Sequence, residues 1–269
     1  MDASKLANKI GQPDLVPLIC KFFQDQLHPN SDLSTSTSLS TILPFFDEPI
    51  SVYPSAVVTF YAPSNLCGTQ GMCHEHIRAV ESWRQGHGRY DCVFVNTDPA
   101  AQGMLGLHVA HVHLFFLFTF CGKFYPCTLV HWFYWASDGP DEDTGMWIAR
   151  HNHNTTGSPT ADILHLNTLV HPTHLIGVYG DKFLPKDLSP DQSPNIFQSY
   201  YVNKYIDHHG CEIAFWLTSW TLYTLLMPHI YQHLCQLWRN SGDGHRLSTT
   251  TLMPILSLPL PPPLPIITH

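Results

Sequence analysis

Cysteine and histidine dominate the residues that could do chemistry in this chain. Cys67, Cys73, His74 and His76 fall in one short run, and thiolate with imidazole is the donor set that borderline-soft Zn²⁺ takes in a tetrahedron. Their spacing, C-x5-C-H-x-H, fits no standard zinc finger, and the neighbours Cys73 and His74 are awkward as two ligands of one ion. The expectation is loop residues without metal. A second group is His108, His111, His113 and His131. Histidines at i and i+2 of a strand share a face, and a paired strand could add His131. Neither arm offers a carboxylate. The expectation is partly exposed strand histidines, each replaceable within about ±0.5 kcal/mol, as at ordinary surface positions.

Other arrangements are weaker. His151-Asn152-His153 spells HNH, but the nuclease of that name spreads those letters over a whole ββα-metal fold. Asp138, Asp141, Glu142 and Asp143 make one acidic turn. Two-metal strand transfer needs carboxylates from separate elements around ions about 3.5–4 Å apart, which one local cluster does not supply. There is no glycine-rich phosphate loop and no Gly-x-Ser-x-Gly elbow. The site expectation is therefore no catalytic residue, no cofactor and no metal. Cys67, Cys73, His74, His76, His111, His113 and His131 remain as the candidates for a metal.

The second group rides on the most apolar stretch of the middle of the chain, Gly106 to Trp135. Ala110, Val112, Leu114, Phe116, Phe118 and Phe120 alternate with His111, His113, Phe115, Leu117 and Thr119, and a period of two is a strand signal. Cys121-Gly122 offers a tight turn, with Gly122 free to take φ > 0, before another aromatic and β-branched run. This predicts a β-hairpin. Both arms are too apolar for a solvated ribbon, so a further layer must cover them.

Upstream, residues 4 to 28 carry apolar positions at helical spacing, broken by Gly11-Gln12-Pro13 into two short helices. Residues 29 to 41 form a Ser/Thr/Asn-rich linker. Ile50 to Tyr61 reads as strand, Pro63 to Arg89 as loop, and Tyr90 to Asn96 as strand. Downstream, Gly145 to Arg150, Asp162 to Leu169 and His174 to Gly180 add short strands. Six to eight closely spaced strands predict a mainly β domain, a small barrel or sandwich. Ser193-Pro194 then opens a helix with Phe197, Tyr200, Tyr201 and Tyr205 as its packing face and Gly210 as its stop. Residues 213 to 227 are apolar but short of the roughly twenty that a membrane span needs. The tail from Ser248 is Pro-rich and expected to be disordered or polyproline II. The expected division is 1–47, 48–210, 211–247 and 248–269.

The 269 residues carry 13 Lys+Arg against 21 Asp+Glu, a formal net charge of -8, and 19 histidines. No run supplies the basic face of a dedicated nucleic-acid binder, so DNA contact is disfavoured. The eight cysteines show no compact framework, and the N-terminus lacks the apolar core of a signal peptide. Reduced thiols and a nuclear or cytoplasmic location are the expectation.

Several phrases, taken in order, resemble one family. They are SAVVTFYAPS from Ser55, RYDCVFV from Arg89, YPCTLVHWF from Tyr125, DEDTGMW from Asp141, HLIGVYG from His174 and YYVNKYIDHH from Tyr200. Together they look like the C-terminal region of Plavaka-type transposases, which are encoded by cut-and-paste DNA transposons of mushroom-forming fungi. The resemblance spans about residues 5 to 215. It implies an accessory part of a transposase without the upstream catalytic core, so no catalytic residue carries over. The family pattern has arginine at several positions where this chain has histidine, His74 and His111 among them, which suggests a decaying transposon copy. The implied partner is the rest of a transposase or its DNA complex. Two other readings stand beside it, a zinc-binding or metal-dependent module on the Cys/His clusters and a membrane-anchored protein using residues 213–234.

Overall fold

Two long strands, β6 (Leu107–Phe120) and β7 (Lys123–Trp135), form the expected central hairpin. Its two-residue turn has φ 50° at Cys121 and 73° at Gly122. Positive φ at both central residues is the type I′ geometry, whose twist matches that of the flanking strands. The computed structural model describes residues 2–27, 46, 48–61, 72–101, 103–155, 157–180, 183–189 and 192–215.

Short strands extend the hairpin on both flanks. β5 (Cys92–Asn96) pairs with the first half of β6 and β1 (Ser51–Tyr53) with its second half. On the other side, β8 (Ile148–His151) and β9 (Ala161–His165) pair with different parts of β7. β10 (Leu169–Thr173) lies beyond β5. β12 (Tyr200–Val202) and then β11 (Leu175–Gly177) lie beyond β8. These nine strands make one nearly closed, barrel-like sheet. A separate three-stranded sheet has the order β2 (Ser55–Tyr61), β3 (Met72–Val80), β4 (Arg89–Tyr90). The protein is mainly β, as expected.

The layer that the apolar hairpin requires is partly helical. α1 (Ala3–Ile10) is capped by Asp2, which accepts from the Lys5 N–H, and it ends at Gly11 with φ 67°. Glycine takes that left-handed C-cap without a Cβ penalty. α2 (Leu15–Leu27) follows, so the predicted break between two short helices is found. Leu6, Leu15, Ile19, Phe22 and Phe23 are buried with Leu114, Phe116, Phe118, Cys127 and Leu129. The Phe23 ring meets Phe46, Phe118, Phe120 and Tyr125 at centroid distances of 4.6 to 6.0 Å. Burying such a side chain contributes about 1.5–3 kcal/mol, so this aromatic knot is a main reason the helices stay on the sheet. Elsewhere β6 packs with Ile77, Val93, Val95 and Val130, and its first residues with Phe94, Phe133, Ala149 and Tyr200.

Several expectations are corrected. The region Pro63–Arg89 is not all loop, because β3 pairs with the whole of β2, from Ser55↔Arg78 to Tyr61↔Met72, and its last two residues pair with β4. Ile50–Tyr61 is two strands in different sheets, β1 and β2, either side of Pro54. The even positions of β6 do not line one face. The register slips between Val112 and Leu114, so Ala110 and Val112 join Ile77 while Leu114, Phe116 and Phe118 join the helices. An extra residue in one strand reverses which face its alternate side chains meet. The aromatic run after Ser193 is not one helix either. It is the short α3 (Ser193–Ile196), then β12, then α4 (His208–Phe215), in which Gly210 is an early residue and not a stop. Pairing of β12 with β8 and β11 outweighs the helical spacing of the tyrosines. Twelve strands are found among the described residues, against six to eight expected.

No helix among the described residues is long and apolar enough to cross a membrane. The linker at 29–41, Cys67, the apolar run after residue 215 and the Pro-rich tail lie outside the described residues.

Candidate functional site

β3 separates its own candidates by strand period. His74 and His76 are exposed on one face, while Cys73, Glu75 and the buried Ile77 occupy the other. Cys73 and His74 therefore do not converge on one ion. The residue between the two histidines, Glu75, is the one turned inward.

The hairpin histidines do come together. His111 stands opposite His131 across the ladder, and His113 sits at the register slip of β6. Ring centroids are 4.5 Å apart for His111–His113 and 3.8 Å for His113–His131. His111 is 2 % exposed, so the expectation of a partly exposed, freely replaceable histidine is overturned for it. The slip and the covering layers bury it. Burial first, and then neighbouring histidines, push His111 down to about 4. His131 is likewise pushed down to about 4, and His113 to about 2, again chiefly by burial. All three are neutral at pH 7. His111 Nε2 lies 3.2 Å from the Tyr90 carbonyl, whereas His111 Nδ1 and His113 Nε2 are buried without a hydrogen-bond partner. Among the described residues no carboxylate joins them, and their nitrogens do not close on a common point. This is a packed stack of neutral rings.

Asp141 of the acidic turn is satisfied within the turn. Asp141 accepts from the Thr144 N–H and hydroxyl at 2.9 and 2.8 Å, which holds its carboxyl below the usual range. His151 Nε2 lies 2.6 Å from the Pro194 carbonyl, so the HNH letters serve a packing contact.

Two other places carry chemistry that local reading of the sequence missed. One is the turn between β3 and β4. The guanidinium carbons of Arg78, Arg84 and Arg89 lie 4.4, 5.5 and 5.8 Å from the Trp83 ring centroid. Arg89 is held by Asp91 at 2.8 Å. Trp83, His87, Arg89, Tyr90 and His111 line a cleft of about 330 Å³ beside them. These arginines are scattered in sequence, so no basic run announces them. The other place joins Glu75 of β3, His171 of β10 and Asp207, just before α4. It is the one group of three His, Cys, Asp or Glu side chains among the described residues whose donor atoms all lie within 4.8 Å of one another. His171 is 1 % exposed, and its Nε2 is 4.0 Å from Glu75 Oε2 and 3.9 Å from Asp207 Oδ2. Burial lowers the His171 pKa, opposed first by the charge of Asp207 and then by that of Glu75, and burial raises the Glu75 pKa, opposed by the charge of His171. Phe60 packs against both the His171 and His209 rings, at 4.7 and 4.4 Å. No family model, curated protein or solved structure matches this chain.

Proposed function

We propose that this chain is a non-catalytic accessory domain of the kind found after the catalytic core in Plavaka-type transposases, and that it contacts nucleic acid through the Trp83 cleft. The family phrases fall on β2, β4, β5, β7, β11 and β12, which are framework strands of both sheets, and on the acidic turn. The observation that carries the contact is the convergence of Arg78, Arg84 and Arg89 on Trp83 at the edge of an open cleft. An aromatic ring ringed by guanidinium groups offers a base a stacking surface and its phosphates a counter-charge. With a net charge of -8 over the whole chain, such binding has to be local, and it should weaken as salt rises.

Fluorescence anisotropy of the full chain with labelled single-stranded and duplex oligonucleotides from the transposon's terminal repeats tests this. Binding at low salt, weakened about tenfold or more by Trp83→Ala or Arg84→Ala, is expected. Absence of binding at low salt, or binding indifferent to both substitutions, would sink the nucleic-acid contact. The same reading takes the gene as a decaying transposon copy and its product as nuclear or cytoplasmic. Codons under purifying selection would count against decay.

A further inference from the structure

We propose that Glu75, His171 and Asp207 form a binding site for one divalent transition-metal ion of the Zn²⁺ type. The site is independent of the Trp83 cleft and does not rest on the transposase reading.

Three elements meet there. β3 turns Glu75 onto a face otherwise lined by apolar side chains, where Val58 is its cross-strand partner and Ile77 is buried. β10 supplies His171. The backbone carbonyl of Asp207 accepts from Cys211 N–H and its Oδ1 from Gly210 N–H, so Asp207 caps α4 and leaves Oδ2 towards His171. The tautomer of His171 follows from its second contact. Nδ1 is hydrogen-bonded to the Pro172 carbonyl, and a carbonyl only accepts, so Nδ1 carries the proton. In the neutral ring Nε2 is then a bare lone pair, buried, without a hydrogen-bond partner, and aimed at two carboxylate oxygens. Three acceptors facing one another repel unless a cation lies between them or the Glu75 carboxyl keeps its proton, and at 4.0 Å from Nε2 that carboxyl makes no O–H···N hydrogen bond.

A proton on Nε2 would be the simplest cation. A charge-assisted N–H···O bond, however, closes to about 2.7–2.9 Å, and both oxygens stand back at 3.9 and 4.0 Å. An ion with bonds of about 2.0–2.2 Å fits a gap of that size with small inward shifts of the carboxylates. The hydrogen bonds at His171 Nδ1 and Asp207 Oδ1 are the outer contacts that orient metal ligands. The Glu75 and Asp207 side chains are 42 % and 34 % exposed, which gives the ion a way in and leaves positions for water or a ligand. One imidazole with two carboxylates favours Zn²⁺ or its transition-metal neighbours over Ca²⁺ and Mg²⁺.

The test is titration of the metal-free full chain with Zn²⁺ by calorimetry, with Co²⁺ absorption as a spectroscopic copy. One equivalent should bind. Glu75→Gln and Asp207→Asn, which keep size and leave the Asp207 cap acceptor in place, should each weaken binding about tenfold or more with an unchanged circular dichroism spectrum. His113→Phe should leave it unchanged. His171→Ala should abolish binding, and if that variant does not fold, the two carboxylate variants decide. No binding at one equivalent, binding untouched by both carboxylate variants, or loss with His113→Phe would each overturn the proposal.

Discussion

The molecule packs histidines in two places, around the buried His111 and around the buried His171, and the contrast between them is instructive. Under the hairpin, His111, His113 and His131 stack closely, yet no acid faces them and burial leaves them neutral. At the α4 cap, one buried histidine faces two carboxylates across a gap too wide for a hydrogen bond. The first set has numbers without electrostatic complement. The second has a single imidazole whose tautomer and neighbours leave a place for a cation. Proximity of histidines is therefore a poor guide to a site; what their nitrogens face decides.

Acid should have the largest effect on the hairpin set. An unfolded histidine takes its proton near pH 6.5, whereas folded His111 takes it only near 4. The unfolded state binds more protons between these values, so stability is full above pH 6.5 and falls as pH drops towards 4. His111 alone should account for a loss of about 3 kcal/mol over that window, measurable by denaturant unfolding at several pH values. His111→Phe should reduce that slope and leave the share of His113 and His131. An unchanged slope would mean the ring is not held neutral.

Truncation gives the next effect. His111→Ala should cost about 2–3 kcal/mol at pH 7 through the cavity it leaves, read from the shift in the urea midpoint. A change within experimental error would restore the surface-like expectation. At the second set, Asp207→Ala removes the cap of α4 and should cost about 1 kcal/mol, whereas Asp207→Asn should cost less. Equal losses would place the effect in charge and not in capping. The smallest change is expected at His74 and His76, exposed on the outer face of β3, where alanine should stay within about ±0.5 kcal/mol.

The helices and hairpin were legible because their signals are local. Gly11 ends α1, and Cys121-Gly122 turns the hairpin. β3 was not, because its outer face carries His74, His76 and Arg78 and its inner face carries Glu75, so the segment reads as polar until β2 is placed beside it. The slip at His113 has no glycine or proline to announce it, and it alone undoes the alternation along β6. β12 reads as helix because Tyr200 and Tyr201 sit at helical spacing from Phe197 and Tyr205, and only its long-range partners β8 and β11 fix it as strand. The same long-range assembly hid the candidate metal ligands. His171 and Asp207 stand far from Glu75 in sequence, and no motif links them. One clue existed. With β3 assigned as a strand, Glu75 is a lone carboxylate on an apolar face.

The most direct test of the contrast is ¹⁵N NMR of the histidine rings at pH 7, before and after one equivalent of Zn²⁺. His171 is expected to be neutral with its proton on Nδ1, and zinc to move its Nε2 while His111, His113 and His131 stay neutral and unshifted. A His171 imidazolium at pH 7, or zinc-induced shifts in the hairpin histidines with His171 unmoved, would contradict it.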